Sequence, residues 1–186
     1  MTNYLYSIPS FNHMKKKIKN FIKNKKEMTL KFSHDKDSNV LYEWTNLQHP
    51  LKSGFNTFII NICKNLTLKF KVHVLRFLLG MKIGKNVGIS PGVQFDVFYP
   101  NLIEIKDNVV IGWNVKMLCH DLTSSSIHVG RIKIGKNSLI GAFSVIRAGV
   151  KIGKNSIIAM HSFVNKDVPD NEIWGGTPAK FIKKNH

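Results

Sequence analysis

Cysteine is nearly absent from this chain. Cys63 and Cys119 are the only two, and their separation excludes the short spacings of zinc knuckles and redox pairs and agrees with a reducing compartment. Long apolar runs are also missing. FIINIC at 58–63 and VLRFLL at 74–79 are among the longest, far too short to span a bilayer. The opening residues MTNYLYSIPS lack a basic region followed by an apolar run, so no secretory leader is expected and a cytoplasmic location is. Acids are scarce: 11 Asp and Glu stand against 28 Lys and Arg, a formal charge of +17 over 186 residues. That excess predicts attraction to polyanions such as coenzyme phosphates, nucleotide-sugars and anionic lipid headgroups. No aromatic-interleaved binding motif accompanies it, so nucleic acid is not an expected partner.

What is present is a beat. Ile134, Ile140, Ile146, Ile152, Ile158 and Val164 fall six residues apart, and Ile83, Ile89, Phe95 and then Ile105, Ile111, Met117 keep the same step. Gly follows the aliphatic residue at Gly135, Gly141 and Gly153, with Ala159 in the same register. Four residues after the first five come Ser138, Ser144, Val150, Ser156 and Ser162. A fixed period of this kind marks a repeat architecture. Six residues hold one short strand and a turn, and three such units close a triangular coil. Stacked coils bury a continuous core that one coil alone could not. The expected fold is therefore an all-β solenoid over residues 82–172, with the repeat isoleucines facing inward and the small residues at tight corners.

The beat breaks twice. The interval from Phe95 to Ile105 is ten, and from Met117 to Ile134 it is seventeen. Residues 118–131 read LCHDLTSSSIHVGR, a polar, serine-rich segment expected to be a flexible functional loop on a rigid scaffold. Residues 1–50 lie outside the beat as a basic amino-terminal extension. Between Phe11 and Lys26 there are seven lysines and no acid, with Phe11, Met14, Ile18, Phe21 and Ile22 at helical spacing. Such a helix lies on an anionic membrane through residues 11–26, or packs its apolar stripe on the body. A strand or short helix is expected around Val40–Trp44, then a break at Gln48-His49-Pro50. Residues 51–81 are expected to form a helical cap. Its helices cover 53–66 and 67–79, with Ser53 and Thr67 as N-caps and Gly80 as C-cap, and they shield the open end of the first coil.

Several segments carry a resemblance: LLGMKIGKNVGISPGVQFD (78–96), LIEIKDNVVIGWN (102–114), CHD (119–121), KIGKNSLIGAFSVIRAGVKIGKNSIIAMHSFVNKDVP (133–169) and the tail IWGGTPAKFIKK (173–184). Together they resemble the left-handed β-helix, hexapeptide-repeat acyltransferases, most nearly the maltose, galactoside and capsule-sugar O-acetyltransferase branch. The resemblance implies the left hand of the helix, a homotrimer, acetyl-CoA as acyl donor with no metal, and a sugar or nucleotide-sugar acceptor in polysaccharide biosynthesis. Two other readings stay open: N-acetylation of a nucleotide-linked amino-sugar, and a non-enzymatic basic scaffold for membrane or nucleic acid.

The resemblance also implies site residues. His120, at the head of the second break, would be the general base, a task suited to an imidazole near neutral pH. His128 in the same segment is the runner-up. Asp121 and Asp96 are possible orienters of His120, and Asn114 and Asp96 possible contacts for the acceptor. A Cys119–His120 nucleophile pair is not expected, because neighbours on a strand face opposite ways. The acetyl-CoA groove would use Gly141, Ala142, Ala159 and Met160, with an N–H near Ala142 holding the oxyanion. Lys166 and Lys180 would meet the coenzyme phosphates as point charges; Lys183 and Lys184 are weaker choices for the same contact. The short carboxy-terminal tail, 173–186, closes the chain.

Overall fold

The computed structural model describes residues 10–33, 39–66 and 70–185. Thr67, expected as a helix cap, lies outside them. The amino-terminal part holds α1 (Phe11–Lys23), β1 (Thr29–Ser33), a 3-10 turn (Trp44–Asn46), α2 (Pro50–Asn65) and α3 (Phe70–Leu79). The chain then visits three parallel sheets in rotation. A first circuit comprises β2 (Lys82–Ile83), β3 (Gly88–Ile89) and β4 (Gln94–Phe95); a second, β5 (Ile103–Ile105), β6 (Val110–Ile111) and β7 (Lys116–Met117). A hairpin follows, β8 (His120–Leu122) and β9 (Ser126–Gly130). The third circuit is β10 (Ile132–Ile134), β11 (Leu139–Ile140) and β12 (Val145–Ile146); the fourth is β13 (Lys151–Ile152), β14 (Ile157–Ile158) and β15 (Phe163–Val164). Last come β16 (Glu172–Gly175) and β17 (Lys180–Lys184). The sheets run β2-β5-β10-β13, β3-β6-β11-β14-β16-β17 and β4-β7-β12-β15.

Register explains the beat. Ile105, Ile134 and Ile152 pair in the first sheet, Ile111, Ile140 and Ile158 in the second, Met117, Ile146 and Val164 in the third. All nine are essentially inaccessible to solvent. The serines do more than spare room at a corner. Ser138 Oγ donates to Gly153 O at 2.6 Å and accepts from Ser156 N–H at 3.2 Å, and Ser144 Oγ makes the matching pair with Ala159 O and Ser162 N–H. They fasten one circuit to the next where no water reaches. Gly141 is small for a different reason: a Cβ there would come within 2.6 Å of Met160 N on the next circuit. At the first corner Asn108, Asn137, Asn155 and Asn171 all take positive φ. Their amides form a ladder, each Nδ2 donating to the next Oδ1 at 2.9–3.2 Å. Asparagine tolerates this backbone and stacks its amide along the axis. Ile140→Val, which removes one methylene at the centre of the second sheet, is expected to cost about 0.5–1.5 kcal/mol, read as a lower urea midpoint.

The described part of the amino-terminal extension, 10–33 and 39–50, is part of the body. The expected flexible loop at 118–131 is instead an antiparallel sheet in the order β1-β9-β8, with Leu30 opposite Val129 and Phe32 opposite Ile127. Its ordering force is burial, since Ile127, Val129 and Phe32 are all in the core. The apolar side of α1, Met14, Ile18 and Phe21, is buried on the body, so it is not available to a bilayer and the membrane contact expected through residues 11–26 loses its apolar half. Arg131 holds α1 down. Its guanidinium donates to Phe21 O, Ile22 O, Asn24 O and Glu27 O at 2.6–3.2 Å, placing a cation on the helix's carboxyl end. Arg131→Ala is expected to destabilise the protein by about 1.5–3 kcal/mol and to expose residues 11–33 to limited proteolysis ahead of the core.

Helix α2 starts earlier than expected. His49 is its N-cap, its ring accepting from Leu51 N–H, and Pro50 occupies the first turn, where a missing N–H costs nothing. Ser53 is buried inside the helix. Gly80 takes φ +66° after α3, as a helix-ending residue should. The carboxy-terminal tail is a pair of strands, β16 parallel to β14 and β17 antiparallel to β16.

Candidate functional site

The two breaks in the beat come together. Phe95 and Met117 are register partners in the third sheet, so the segments leaving them, Asp96–Tyr99 and Cys119–Asp121, emerge at one corner on successive circuits. Asp96 is almost fully buried. Its Oδ1 accepts from the N–H groups of Phe98 and Tyr99 at 2.9 and 2.7 Å, and its Oδ2 from Cys119 N–H at 2.7 Å. The remaining contact is His120 Nδ1, 2.6 Å from Oδ2. A carboxylate so held accepts the Nδ1 proton and leaves Nε2 as the basic nitrogen. Among the described residues that Nε2 has no hydrogen-bond partner, and the side chain is 18% exposed.

Aromatic rings fix the imidazole plane. Phe98 stacks on His120 at 4.4 Å and 14°, Tyr99 meets it edge-on at 6.3 Å, and Trp44 stacks on the far side of Phe98 at 5.3 Å. The helical cap holds this column: Gln48 Nε2 donates to Phe98 O at 2.7 Å and Asn56 Nδ2 to Val97 O at 2.8 Å. Burial first, and then the Asp96 charge, push the Tyr99 phenol far above its ordinary range, so it stays protonated. Complete burial, then Asp96, likewise push the Cys119 thiol well up. Cys119 is fully buried and held as the thiol, as an inert structural cysteine is.

Asp121 does not orient His120. It stands opposite His128 across β8 and β9, and its Oδ2 takes His128 Nδ1 at 3.1 Å and Arg147 Nε at 2.8 Å. His128 thus forms a second His–Asp pair, but its Nε2 is sealed from solvent with nothing bonded to it. Both Asp96 oxygens are taken by four contacts within the chain, His120 among them. Phe98, Trp44, Gln48 and Asn56 were not singled out from sequence. The ten-residue interval after Phe95 marked their neighbourhood without giving its content.

The expected donor residues lie elsewhere. Gly141, Ala142, Ala159 and Met160 stand at the corner after the second sheet, with Trp113 and Asn114 one circuit earlier; His120 stands at the corner after the third. The width of the third sheet separates the two groups within one chain. Asn114 has positive φ and lies over Gly92, where a Cβ would meet its Oδ1. Within this chain it therefore sits as a corner residue, away from His120. Gly141 and Phe143 donate to Ile158 O and Trp113 O, whereas the Ala142 N–H between them makes no hydrogen bond among the described residues. Phe143 stacks on His161 at 4.8 Å and 6°, and Trp113, Phe143 and Met160 are exposed. Lys166 and Lys180 are exposed cations; Lys184 is engaged by Glu172 at 2.7 Å. Among the described residues no three His, Cys, Asp or Glu side chains converge as a metal site would need.

Residues 131–166 match the family described as bacterial transferase hexapeptide (six repeats). The chain is 33% identical over 133 residues to YvoF of Bacillus subtilis strain 168, named as a candidate acetyltransferase, covering 71% of this chain and 77% of that protein. It is similar in structure to a maltose O-acetyltransferase of Clostridium difficile 630, with TM-score 0.59, 26% identity, and coverage of 73% of this chain and 87% of that one. A hexapeptide-repeat acetyltransferase of Vibrio cholerae O1 biovar eltor, solved with acetyl coenzyme A, gives TM-score 0.59 at 21% identity over 73% of this chain and 88% of that one. At that identity the second likeness is one of fold alone.

Proposed function

The chain belongs to the hexapeptide-repeat acetyltransferase family, and from that premise we propose that it is a left-handed parallel β-helix enzyme moving an acetyl group from acetyl-CoA to a hydroxyl of a sugar or glycan-pathway acceptor. The observation that carries the reading is His120, its Nδ1 on buried Asp96, its Nε2 without a hydrogen-bond partner among the described residues and its side chain partly exposed. Acetyl-CoA supplies the acyl group as a thioester. His120 Nε2 removes the acceptor hydroxyl proton as the oxygen bonds to the thioester carbon. The unused Ala142 N–H receives the negative charge that gathers on the carbonyl oxygen. As the carbon–sulfur bond breaks, the His120 imidazolium returns its proton to the departing sulfur, so the base is restored and no acyl-enzyme is needed.

Base and oxyanion donor sit at different corners of one chain. We therefore place the site between subunits of a homotrimer, one chain's His120 facing the Gly141–Ala142 and Ala159–Met160 corner of its neighbour. The exposed Trp113, Phe143 and Met160 at that corner, with Val110 and Leu139 beside them, support an interface there. Lys166 and Lys180 face the coenzyme phosphates. The test is an acceptor screen that follows thiol release from acetyl-CoA over sugars and nucleotide-sugars, with sedimentation of the same sample. Acceptor-dependent release by a trimer is the expected result. A monomer with undiminished affinity for acetyl-CoA overturns the shared site, and release that no hydroxyl acceptor accelerates overturns the reaction.

A further inference from the structure

Two faces near the amino end have no partner among the described residues, and they meet on α3. The first is apolar. Leu51, Phe55, Phe58 and Ile62 follow one another on α2 at steps of four, three and four, which sets them in one line along the helix. All four are exposed, Leu51 and Phe58 at 79% and 62%. The opposite side of α2, with Ser53, Asn56, Ile60 and Cys63, is buried. Phe70 and Phe77, seven residues apart on α3, make a second line at 65% and 82% exposure. Aromatic lines of this length on a soluble surface mark a contact site.

The second face is basic. A cavity of about 580 Å³ opens between α3 and the first circuit, lined by Lys71, Val72, His73 and Arg76 and by residues 84–89, Lys85 among them. Lys71 is buried, and its Nζ donates to Ile89 O and Ser90 O at 3.2 and 3.3 Å. Arg76 donates to Ile83 O at 2.8 Å and to Gly84 O. Among the described residues no carboxylate pairs with either cation. The chain carries no Asp or Glu between Glu43 and Asp96, and Asp107 accepts the Lys85 N–H at 2.7 Å. Partly desolvated cations without acids suit a phosphate, which takes charge-assisted hydrogen bonds from both residue types. At 100° per residue, His73 falls between the Phe70–Phe77 line and Arg76, so the mouth of the cavity runs beside the aromatic line.

We infer that α2 and α3 form a membrane-docking face, the phenylalanine lines entering the interfacial layer of an anionic bilayer while the basic cavity receives a lipid headgroup phosphate. Charge complementarity selects this occupant. A second copy of this acid-poor segment would leave the cavity's cations unpaired, whereas an anionic leaflet offers negative charge and apolar depth together. No helix of the described residues is long and apolar enough to cross a membrane, so the helices lie in the surface plane. The buried side of α2 supports the Val97–Phe98 segment through Asn56, which brings the docked face close to the aromatic column on His120. Docking does not depend on the acetyl-transfer reading.

The full chain is tested by cosedimentation with phosphatidylcholine vesicles, with and without phosphatidylglycerol. Binding is expected only to the phosphatidylglycerol vesicles. Phe55→Ser with Phe58→Ser, and separately Phe77→Ser, should each weaken it about ten-fold or more, as should His73→Glu with Lys85→Glu. Lys16→Glu with Lys19→Glu on α1 should change it less than about three-fold, because those charges lie off the docking face. Circular dichroism confirms that each variant is folded. The inference is overturned if the phenylalanine and cavity pairs bind like the parent, or if the α1 pair alone abolishes binding. It is also overturned if the phenylalanine variants change the sedimenting species, which would make the face a subunit interface. Inorganic phosphate that binds in a Lys85-dependent way to a protein that ignores vesicles would assign the cavity to a free anion instead.

Discussion

His120→Ala is expected to lower kcat about 10²–10⁴-fold, the scale of one positioned general base, with the urea midpoint close to that of the parent. The side chain is free of core duty. It leaves the third sheet where the six-residue register stops, its ring is 18% exposed, and Asp96 retains three backbone donors when the imidazole is gone. The KM for acetyl-CoA should change little, because the proposed donor groove uses backbone and lysines at another corner. His128→Ala provides the contrast. Its Nε2 is sealed, so it cannot meet a substrate proton without opening the β8–β9 hairpin. Its loss should act on stability, by emptying a buried position and leaving Asp121 with Arg147 alone, and leave turnover within a few-fold. If His128→Ala is inactive and His120→Ala turns over normally, the base has been assigned to the wrong His–Asp pair. Steady-state kinetics with any acceptor found in the screen, alongside urea titrations of both variants, decide between them.

The fold was legible because its interior has only one solution. A short strand with one inward residue per six must place an aliphatic there, and Ile134, Ile140, Ile146, Ile152 and Ile158 record that demand directly. The asparagine ladder carried an equally regular signal that passed unused: Asn86, Asn108, Asn137, Asn155 and Asn171 each stand three residues after Ile83, Ile105, Ile134, Ile152 and Val168. The meeting of His120 and Asp96 at the candidate site was legible from interruption, since each follows the last inward residue before a break. What the breaks contain was not. Strand β1 pairs with β9 about a hundred residues later, and five residues, TLKFS, carry no periodicity that names a partner so distant in sequence. Helix α1 shows a different limit. An amphipathic stripe records that something apolar covers it, and Met14, Ile18 and Phe21 read alike under protein or lipid. Only the structure separates α1, whose stripe is covered, from α2, whose outer line is bare.

Asp96→Asn should cost turnover nearly as much as removing the base, although no substrate touches this side chain. As a carboxylate, Asp96 accepts four hydrogen bonds at once, from Phe98, Tyr99, Cys119 and His120. An amide cannot. With Oδ1 kept on Phe98 and Tyr99, the NH2 group faces the Cys119 N–H and the His120 Nδ1, both donors at present. The ring then relieves the clash by moving its proton to Nε2, which presents a donor where the reaction needs an acceptor. The same substitution in a Ser-His-Asp triad lowers kcat about 10⁴-fold through the wrong tautomer, and a fall of about 10²–10⁴-fold is expected here. KM should move far less than kcat, a split that a merely loosened fold would not give. Asp96→Ala reports the structural side of the same residue. It leaves three buried N–H groups without an acceptor, at about 1–3 kcal/mol each, so it should lower the thermal midpoint far more than His120→Ala. A variant Asp96→Asn that is folded and turns over like the parent would separate Asp96 from the chemistry and leave it a loop anchor.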